Sequence, residues 1–391
     1  MAANQATRLQ TDLPPLKLKG RRDILETFEK AAETFIHEKE GHIEIWAASQ
    51  DWFLEEWGRD TFISLPGLLL STGKTNQAKN NLRHFASYEK AGLLPNRIEK
   101  DGNLLYNSSD APMWFIQAVK KLNDPDFTEE MRPVMTRIIK NYEKGTSFER
   151  YGSSQSIDMD ASDGLIRTPA QSTWMDADAW GDGSAIVTPR NGKTVEINAL
   201  WYSNLRFLNE HDLADTVQEN FNKKFWNEQE NSLFDVLEGD PHQGAIRPNQ
   251  CFAVSHAEDL LSQERQQAVF DCVTRELLTP GGLRTLSPRD SHYIGHYNTD
   301  APLHEKDPAY HQGTIWPWLI GPYCDMLVKL GHEDQLEATL TPLITFCLES
   351  EYHSLPEVFS GDPPHEPGGT RSQAWSIAEV LRILIDNHLI S

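Results

Sequence analysis

Apolar residues recur at three- and four-residue spacing through most of the chain, the repeat that lines one face of an α-helix. Alternating β-branched runs are rare and short. The pattern predicts helices at about 22–38, 60–72, 75–88, 109–122, 127–147, 194–209, 211–226, 250–260, 262–278, 311–330, 333–349 and 371–388. About twelve helices make six pairs, so the expected class is all-α. Pairs set in a closed ring, an (α/α)6 toroid or six-hairpin barrel, would bring alternate loops to one mouth, although a count of helices does not establish closure.

Between the helices lie segments rich in Gly, Pro, Asp and Trp, notably 91–108, 150–192, 228–249, 280–310 and 351–370. Loops this long in a compact protein usually carry function. A site built from loops on a helical scaffold is therefore expected. No linker or low-complexity tract divides the chain after residue 20. The expected organisation is a polar N-terminal extension, 1–20, and one domain over 21–391.

Composition narrows the ligand. The 391 residues, 39% hydrophobic, can bury a large core. The net charge of −22 repels phosphate backbones and anionic lipid, so nucleic acid and membrane surfaces are poor partners, whereas a neutral, hydroxyl-rich ligand is not disfavoured. No leader-like or membrane-spanning apolar run is visible, and a soluble cytoplasmic protein is expected. Cys251, Cys272, Cys324 and Cys347 show no CxxC pairing and suit buried thiols in a reducing compartment. Several of the eleven tryptophans stand beside Arg, Asp or Glu in loops, where they could stack on pyranose rings or fill the core.

Four clusters could carry chemistry. In Trp57-Gly58-Arg59-Asp60-Thr61, Asp60 could cap the following helix, or Arg59 and Asp60 could grip sugar hydroxyls beside Trp57. In Tyr106-Asn107-Ser108-Ser109-Asp110, either Ser109 or Asp110 is a good cap, and Asp110 is also a rival candidate acid. Asp176 follows Trp174 and Met175, apolar neighbours of the kind that raise a carboxyl pKa and suit a general acid. Nearby Asp178 and Asp182 read as solvated loop acids. Glu357, after Pro356 in an apolar setting, suits a general base with room for one water. His311-Gln312 with Trp316, and Trp375 after Gln373, read as sugar-contacting rims or as packed helix entries.

Other chemistries lack their patterns. There is no GxSxG, HExxH, P-loop or strand-borne GxGxxG. The segment Asp158–Gly164 resembles a calcium loop, but its glycine is displaced and Pro169 stands where the bidentate Glu belongs. His292, His296, His304 and His311 lack ligand spacing, so no metal is expected.

Taken in order, Trp57–Thr61, Gly92–Arg97, Tyr106-Asn107, Thr173–Ala177, Thr188-Pro189-Arg190, Val195–Trp201 and Gln373–Ser376 resemble the amylo-α-1,6-glucosidase domain of glycogen debranching enzymes. The resemblance implies an (α/α)6 toroid and cofactor-free, inverting hydrolysis of α-1,6-linked glucosyl stubs on glycogen or limit dextrin. It implies Asp176 as general acid and Glu357 as general base. It also implies that Trp57, Arg59 and Asp60 hold the terminal glucose, with Asn107, Asp110, Trp174, His311, Gln312, Trp316 and Trp375 around it. Related toroid enzymes leave open an exo-acting α-glucosidase on α-1,4 or small α-glucosides, and a non-catalytic glucan-binding module is the alternative of another class. The resemblance implies a branched α-glucan or oligosaccharide as substrate; only about forty residues precede the match, which leaves glycogen and short branched oligosaccharides both open and makes a separate glucanotransferase the expected upstream partner.

Overall fold

The computed structural model describes residues 7–48, 55–239, 242 and 244–390. Its α-helices in chain order are α1 (Arg22–Glu33), α2 (Gly58–Leu65), α3 (Thr75–Ala86), α4 (Ala111–Leu122), α5 (Pro125–Lys144), α6 (Val195–Phe207), α7 (His211–Lys224), α8 (Phe252–Ser255), α9 (Gln263–Glu276), α10 (Leu303–Tyr310), α11 (Ile320–Lys329), α12 (Leu336–Glu349) and α13 (Ala374–Asp386). The chain is mainly helical. Every helix expected from the apolar spacing is present.

The differences have local causes. α1 stops at Glu33, and the chain turns into the hairpin Ile36–Lys39 with His42–Ile45. Residues 311–319 are not α-helical, because Ile315-Trp316 pair as a strand and Pro317 opens a 3-10 turn. α8 shrinks to one turn behind the 3-10 turn Pro248–Cys251. α10 lies in a segment read as loop. It buries only Asp307 and Ala309 and contains Pro308, so it has no apolar stripe to detect.

Two kinds of helix emerge from burial. All eight residues of α2 are buried, as are Val195–Leu205 of α6 and Ala374–Leu384 of α13. In contrast, α7 buries only Ala214, Val217 and Phe221, one stripe at helical spacing. The buried class forms a run of neighbours: α2 packs on α4, α4 on α6, α6 on α8, α8 on α11, α11 on α13, and α13 on α2. α13 comes closest to the turn Pro66–Leu70 that follows α2, where a Cβ added at Gly67 would stand 1.9 Å from the Ala378 carbonyl oxygen. α1, α3, α5, α7, α9 and α12 flank this run. The described core residues form one apolar cluster from Leu9 and Leu18 to Ile390. The N-terminal extension is anchored to α12, where Leu16 and Leu18 donate backbone N–H groups to Thr341 and Glu337.

The long loops fold into small antiparallel sheets, six among the described residues. One joins Glu56-Trp57, Arg97-Ile98 and Leu104-Leu105. Another has five strands and pairs Ile315 with Phe359, which brings the Trp316 and Glu357 segments side by side. Alternation cannot be read from strands of two residues. Among the described residues no helix is long and apolar enough to cross a membrane.

Candidate active site

The residues singled out in the sequence gather at the N-terminal ends of the buried helices. Trp57 precedes α2, Asp110 precedes α4, Thr194 precedes α6, and Gln373 precedes α13. Side chains then cross between these ends. Helix N-termini present unpaired N–H groups and a positive dipole end, which favours carboxylates there.

Arg59 is the shared partner. Its Nε donates to Asp110 Oδ2 at 2.6 Å and its Nη1 to Asp176 Oδ2 at 3.2 Å. Arg59 and Asp110 are buried, whereas Asp176 keeps 30% of its side chain exposed. Neither expected cap forms. α2 begins at Gly58, so Asp60 falls inside its first turn and accepts from Gln373 Nε2 at 3.4 Å. Asp110 occupies the N-cap position but spends its carboxylate on Arg59.

Burial pushes Asp60 up to about 7; Arg59 pulls it back, while Glu357, Asp176 and Asp110 push it further up. Burial likewise raises Asp110 against the pull of Arg59. Asp60 is thus poised between its two protonation states at neutral pH, as expected where like charges share a low-dielectric site.

Glu357 approaches from a different element. Its Oε1 accepts from the Tyr310 hydroxyl at 2.5 Å, and its Oε2 from the Thr370 backbone N–H at 3.0 Å. Burial raises its pKa, the Tyr310, Thr370 and Lys306 interactions oppose the rise, and Asp176 adds to it. Gly369 wraps tightly round this carboxylate. It has φ +66°, and an added Cβ would stand 2.2 Å from Glu357 Oε2.

An aromatic wall stands behind the acids. The Trp174 ring meets His311, Trp316 and Trp318 edge-on at 5.3 Å, and Trp375 stacks on Trp318 at 5.1 Å. His311 is fully buried and stacks on Trp316, and burial holds its imidazole well below its usual pKa. Its ring nitrogens, Trp375 Nε1, Arg59 Nη2 and Asp110 Oδ1 have no hydrogen-bond partner in the protein. Gln312 is committed elsewhere, its Oε1 accepting from Arg247 at 2.5 Å. Asn107 is half-buried with an unpartnered Oδ1, and the Arg97 guanidinium lies over Trp57, 5.2 Å from the ring centroid. The geometry thus brings Arg59, Asp60, Asp110, Asp176 and Glu357 together, backs them with Trp174, His311, Trp316 and Trp375, and gives Gln312 a structural tie.

A second buried guanidinium braces the Asp176 loop. Arg190 grips Glu196 through two hydrogen bonds of 2.6 and 2.7 Å, reaches Asp235 at 2.5 Å, and donates to Thr173 at 3.0 Å. Asn249 links Asp235 to the Trp174 indole, 2.7 Å from each. This network explains two motifs, Thr188–Arg190 and Val195–Trp201, that carry no evident chemistry of their own. Asp178 departs from expectation. It is buried, and it accepts from Trp180 N–H, the Tyr151 hydroxyl and Gly183 N–H, so it shapes the turn after Asp176 while Asp182 stays exposed. In the calcium-loop lookalike, Lys193 binds Asp160 and Asp163 at 2.9 and 2.7 Å, and Lys224 binds Asp163 at 2.6 Å.

The sequence reading missed the residues of α10. Tyr310 holds Glu357, Lys306 acts on it electrostatically, and Asp307 is pushed up to about 7 by burial, with Lys306 pulling down and Asp176, Asp178 and Glu357 pushing up. Only the Lys-Asp-Pro-Ala-Tyr run before His311 marks them. A separate cavity of about 410 Å³, lined by Trp114, His256, Asp325 and Arg382 among others, lies nearer the C-terminal ends of the same helices and includes neither Asp176 nor Glu357.

A family model described as amylo-alpha-1,6-glucosidase matches residues 30–382. The glycogen debranching enzyme of Saccharomyces cerevisiae is 26% identical over 449 aligned residues, covering 85% of this chain but 29% of the yeast protein. The chain thus spans less than a third of that relative. Similar folds include an uncharacterized conserved protein of Thermus thermophilus (TM-score 0.64, 12% identity, 92% of this chain and 99% of that one). They also include the GH63 mannosylglycerate hydrolase of the same organism in complex with glucose (0.61, 13%, 93% and 99%). A rhamnosidase from Klebsiella oxytoca with rhamnose bound is similar as well (0.61, 12%, 96% and 66%). The family match supports a glycoside hydrolase. The chain belongs to the amylo-alpha-1,6-glucosidase family.

Replacing Arg59 by Met leaves Asp110 buried without its counter-ion. A loss of about 3–5 kcal/mol in unfolding free energy is expected, measured by denaturant titration. An unchanged midpoint would show that Asp110 is satisfied without Arg59.

Proposed function

We propose that this enzyme is an inverting α-glucosidase that removes α-1,6-linked glucosyl stubs from branched α-glucans. The observation that carries this reading is the pair of carboxylates held from different elements, Asp176 by Arg59 and Glu357 by Tyr310 and Thr370, with Asp60 under the influence of both. Asp176 acts as general acid and protonates the leaving glycosidic oxygen. Glu357 acts as general base and takes a proton from the water attacking the opposite face of the sugar. Inversion asks for roughly 6.5–9.5 Å between the two carboxyl groups.

Arg59, Asp60 and Asp110 hold hydroxyls of the terminal glucose, and Trp174, Trp316 and Trp375 wall its pocket. Asn107 and Trp57 extend the rim. Supporting this placement, Arg59 Nη2 and Asp110 Oδ1 are buried without protein partners, so a bound hydroxyl would satisfy both. His311 acts indirectly, by stacking behind Trp316. The run of buried helices from α2 round to α13 is read as a closed (α/α)6 toroid, and residues 21–391 as one domain. The α-1,6 preference draws on the glycogen debranching enzyme relative. A cytoplasmic setting fits four buried free cysteines.

Two measurements test the reading. The ratio kcat/KM should be higher on dextrin carrying single glucosyl branches than on linear maltooligosaccharides, and Asp176→Asn and Glu357→Gln should each lower it by about 10²–10⁴-fold. Preference for the linear substrate would contradict the debranching role, and unchanged turnover in the variants would remove the assignment of roles.

The pH profile supplies the second. A base must be ionised to act, and burial raises the Glu357 pKa. The acidic limb of kcat/KM should therefore lie above the ordinary glutamate range. Tyr310 donates to the carboxylate and stabilises its charged form, so Tyr310→Phe should move that limb to still higher pH. A limb that stays in place would separate Tyr310 from the base.

A further inference from the structure

Away from the carboxylate site, one group of side chains converges as metal ligands do. His42, Glu56 and His84 each offer a ligand atom, and these atoms lie within 4.8 Å of one another. They come from three elements: the strand His42–Ile45, the strand Glu56-Trp57, and α3.

Three features distinguish this group from an ordinary polar cluster. Glu56 is 2% exposed, and its Oε2 has no hydrogen-bond partner. Its Oε1 is occupied, accepting from the Ile45 N–H and the Asn81 amide at 3.2 Å each, so the orphaned oxygen is the one turned towards the histidines. Second, Oε2 stands 3.6 Å from His84 Nε2, too far for a good hydrogen bond. Two ligand atoms at about 2.0–2.1 Å from a tetrahedral ion stand roughly 3.4 Å apart, close to this spacing. Third, the two imidazoles lie face to face, with centroids 3.7 Å apart.

We propose that His42, His84 and Glu56 form a binding site for a divalent transition-metal ion of the zinc type. Two imidazoles and one carboxylate are a donor set that suits zinc, with water completing the coordination. Glu44 accepts from His42 Nε2 at 3.3 Å and is itself held by Lys39 at 3.0 Å and the Trp46 indole at 3.0 Å. It orients the His42 ring from outside the ligand set. The imidazoles keep 19% and 12% of their side chains exposed, which leaves an ion a route from solvent. The ion supplies the positive charge that buried Glu56 lacks. It ties the strand Glu56-Trp57 to α3 and to the hairpin, directly before Arg59 and Asp60. The proposal does not depend on the glucosidase reading.

The test is zinc uptake by the chelator-treated full chain, followed by native mass spectrometry, isothermal titration and thermal unfolding. One zinc per chain and a raised Tm are expected. His84→Gln and Glu56→Gln, with folding checked by circular dichroism, should weaken binding by at least about tenfold. His292→Gln, at a histidine remote in sequence from all three ligands, should leave uptake unchanged. A wild-type chain that takes up no stoichiometric zinc overturns the proposal whatever the variants do. So does binding that survives both ligand substitutions, or that is lost in His292→Gln.

Discussion

Arg59 donates to Asp110 through Nε and to Asp176 through Nη1, joining the start of α2 to the start of α4 and to the long loop after residue 150. Both Arg59 and Asp110 are withdrawn from water, which is costly for single charges and tolerable for a hydrogen-bonded pair. Lysine could not replace this fork, because its single ammonium lacks two fixed donor directions. Asp60, the next residue, is left to share the field of Asp110, Asp176 and Glu357, and its rise to about 7 comes first from burial and then from these neighbouring negative charges. A neutral, hydroxyl-bearing ligand is compatible with that field, whereas an anion would add to the repulsion.

The rest of the architecture keeps those charges in place. Buried helices present polar N-terminal turns at the site and apolar bodies below it, as in α2, where Arg59, Asp60, Thr61 and Ser64 are interleaved with Phe62, Ile63 and Leu65. Long loops then deliver the remaining groups, and each is braced. The Asp176 loop hangs on Arg190, Glu196, Asp235 and Asn249, and the Glu357 segment on a strand pairing and the Thr370 backbone. Positioning of this kind is what general acid and base chemistry demands of a scaffold.

Helix positions were legible because a buried stripe repeats every three or four residues, and α10 was not, because Pro308 and its polar neighbours leave no stripe. The carboxylates were legible as candidates, and Arg59, Asp60 and Asp176 do meet. What local chemistry misjudged was capping. The start of α2 at Gly58 moves Asp60 into the helix, and Asp110, though at the N-cap position of α4, makes no side-chain cap bond and accepts from Arg59 instead. Asp178 looked solvated from its Gly-rich surroundings, but those glycines supply a turn whose N–H groups enclose it. Tyr310, Thr370 and Gly369 surround Glu357 from positions up to forty-seven residues away, a relation that no local motif encodes. The grouping of His42, Glu56 and His84 is equally non-local, assembled by a hairpin, the strand Glu56-Trp57 and a helix.

The central claim is that Asp176 and Glu357 work on opposite faces of one sugar with a water between them. Proton NMR of the first glucose released from a glucosyl-branched dextrin tests it most directly, because the two anomers are resolved before mutarotation mixes them. The account predicts β-glucose at the earliest times, decaying towards the equilibrium mixture. α-Glucose as the first product would mean that configuration is retained, and would contradict the assignment of Glu357 as a base acting through water.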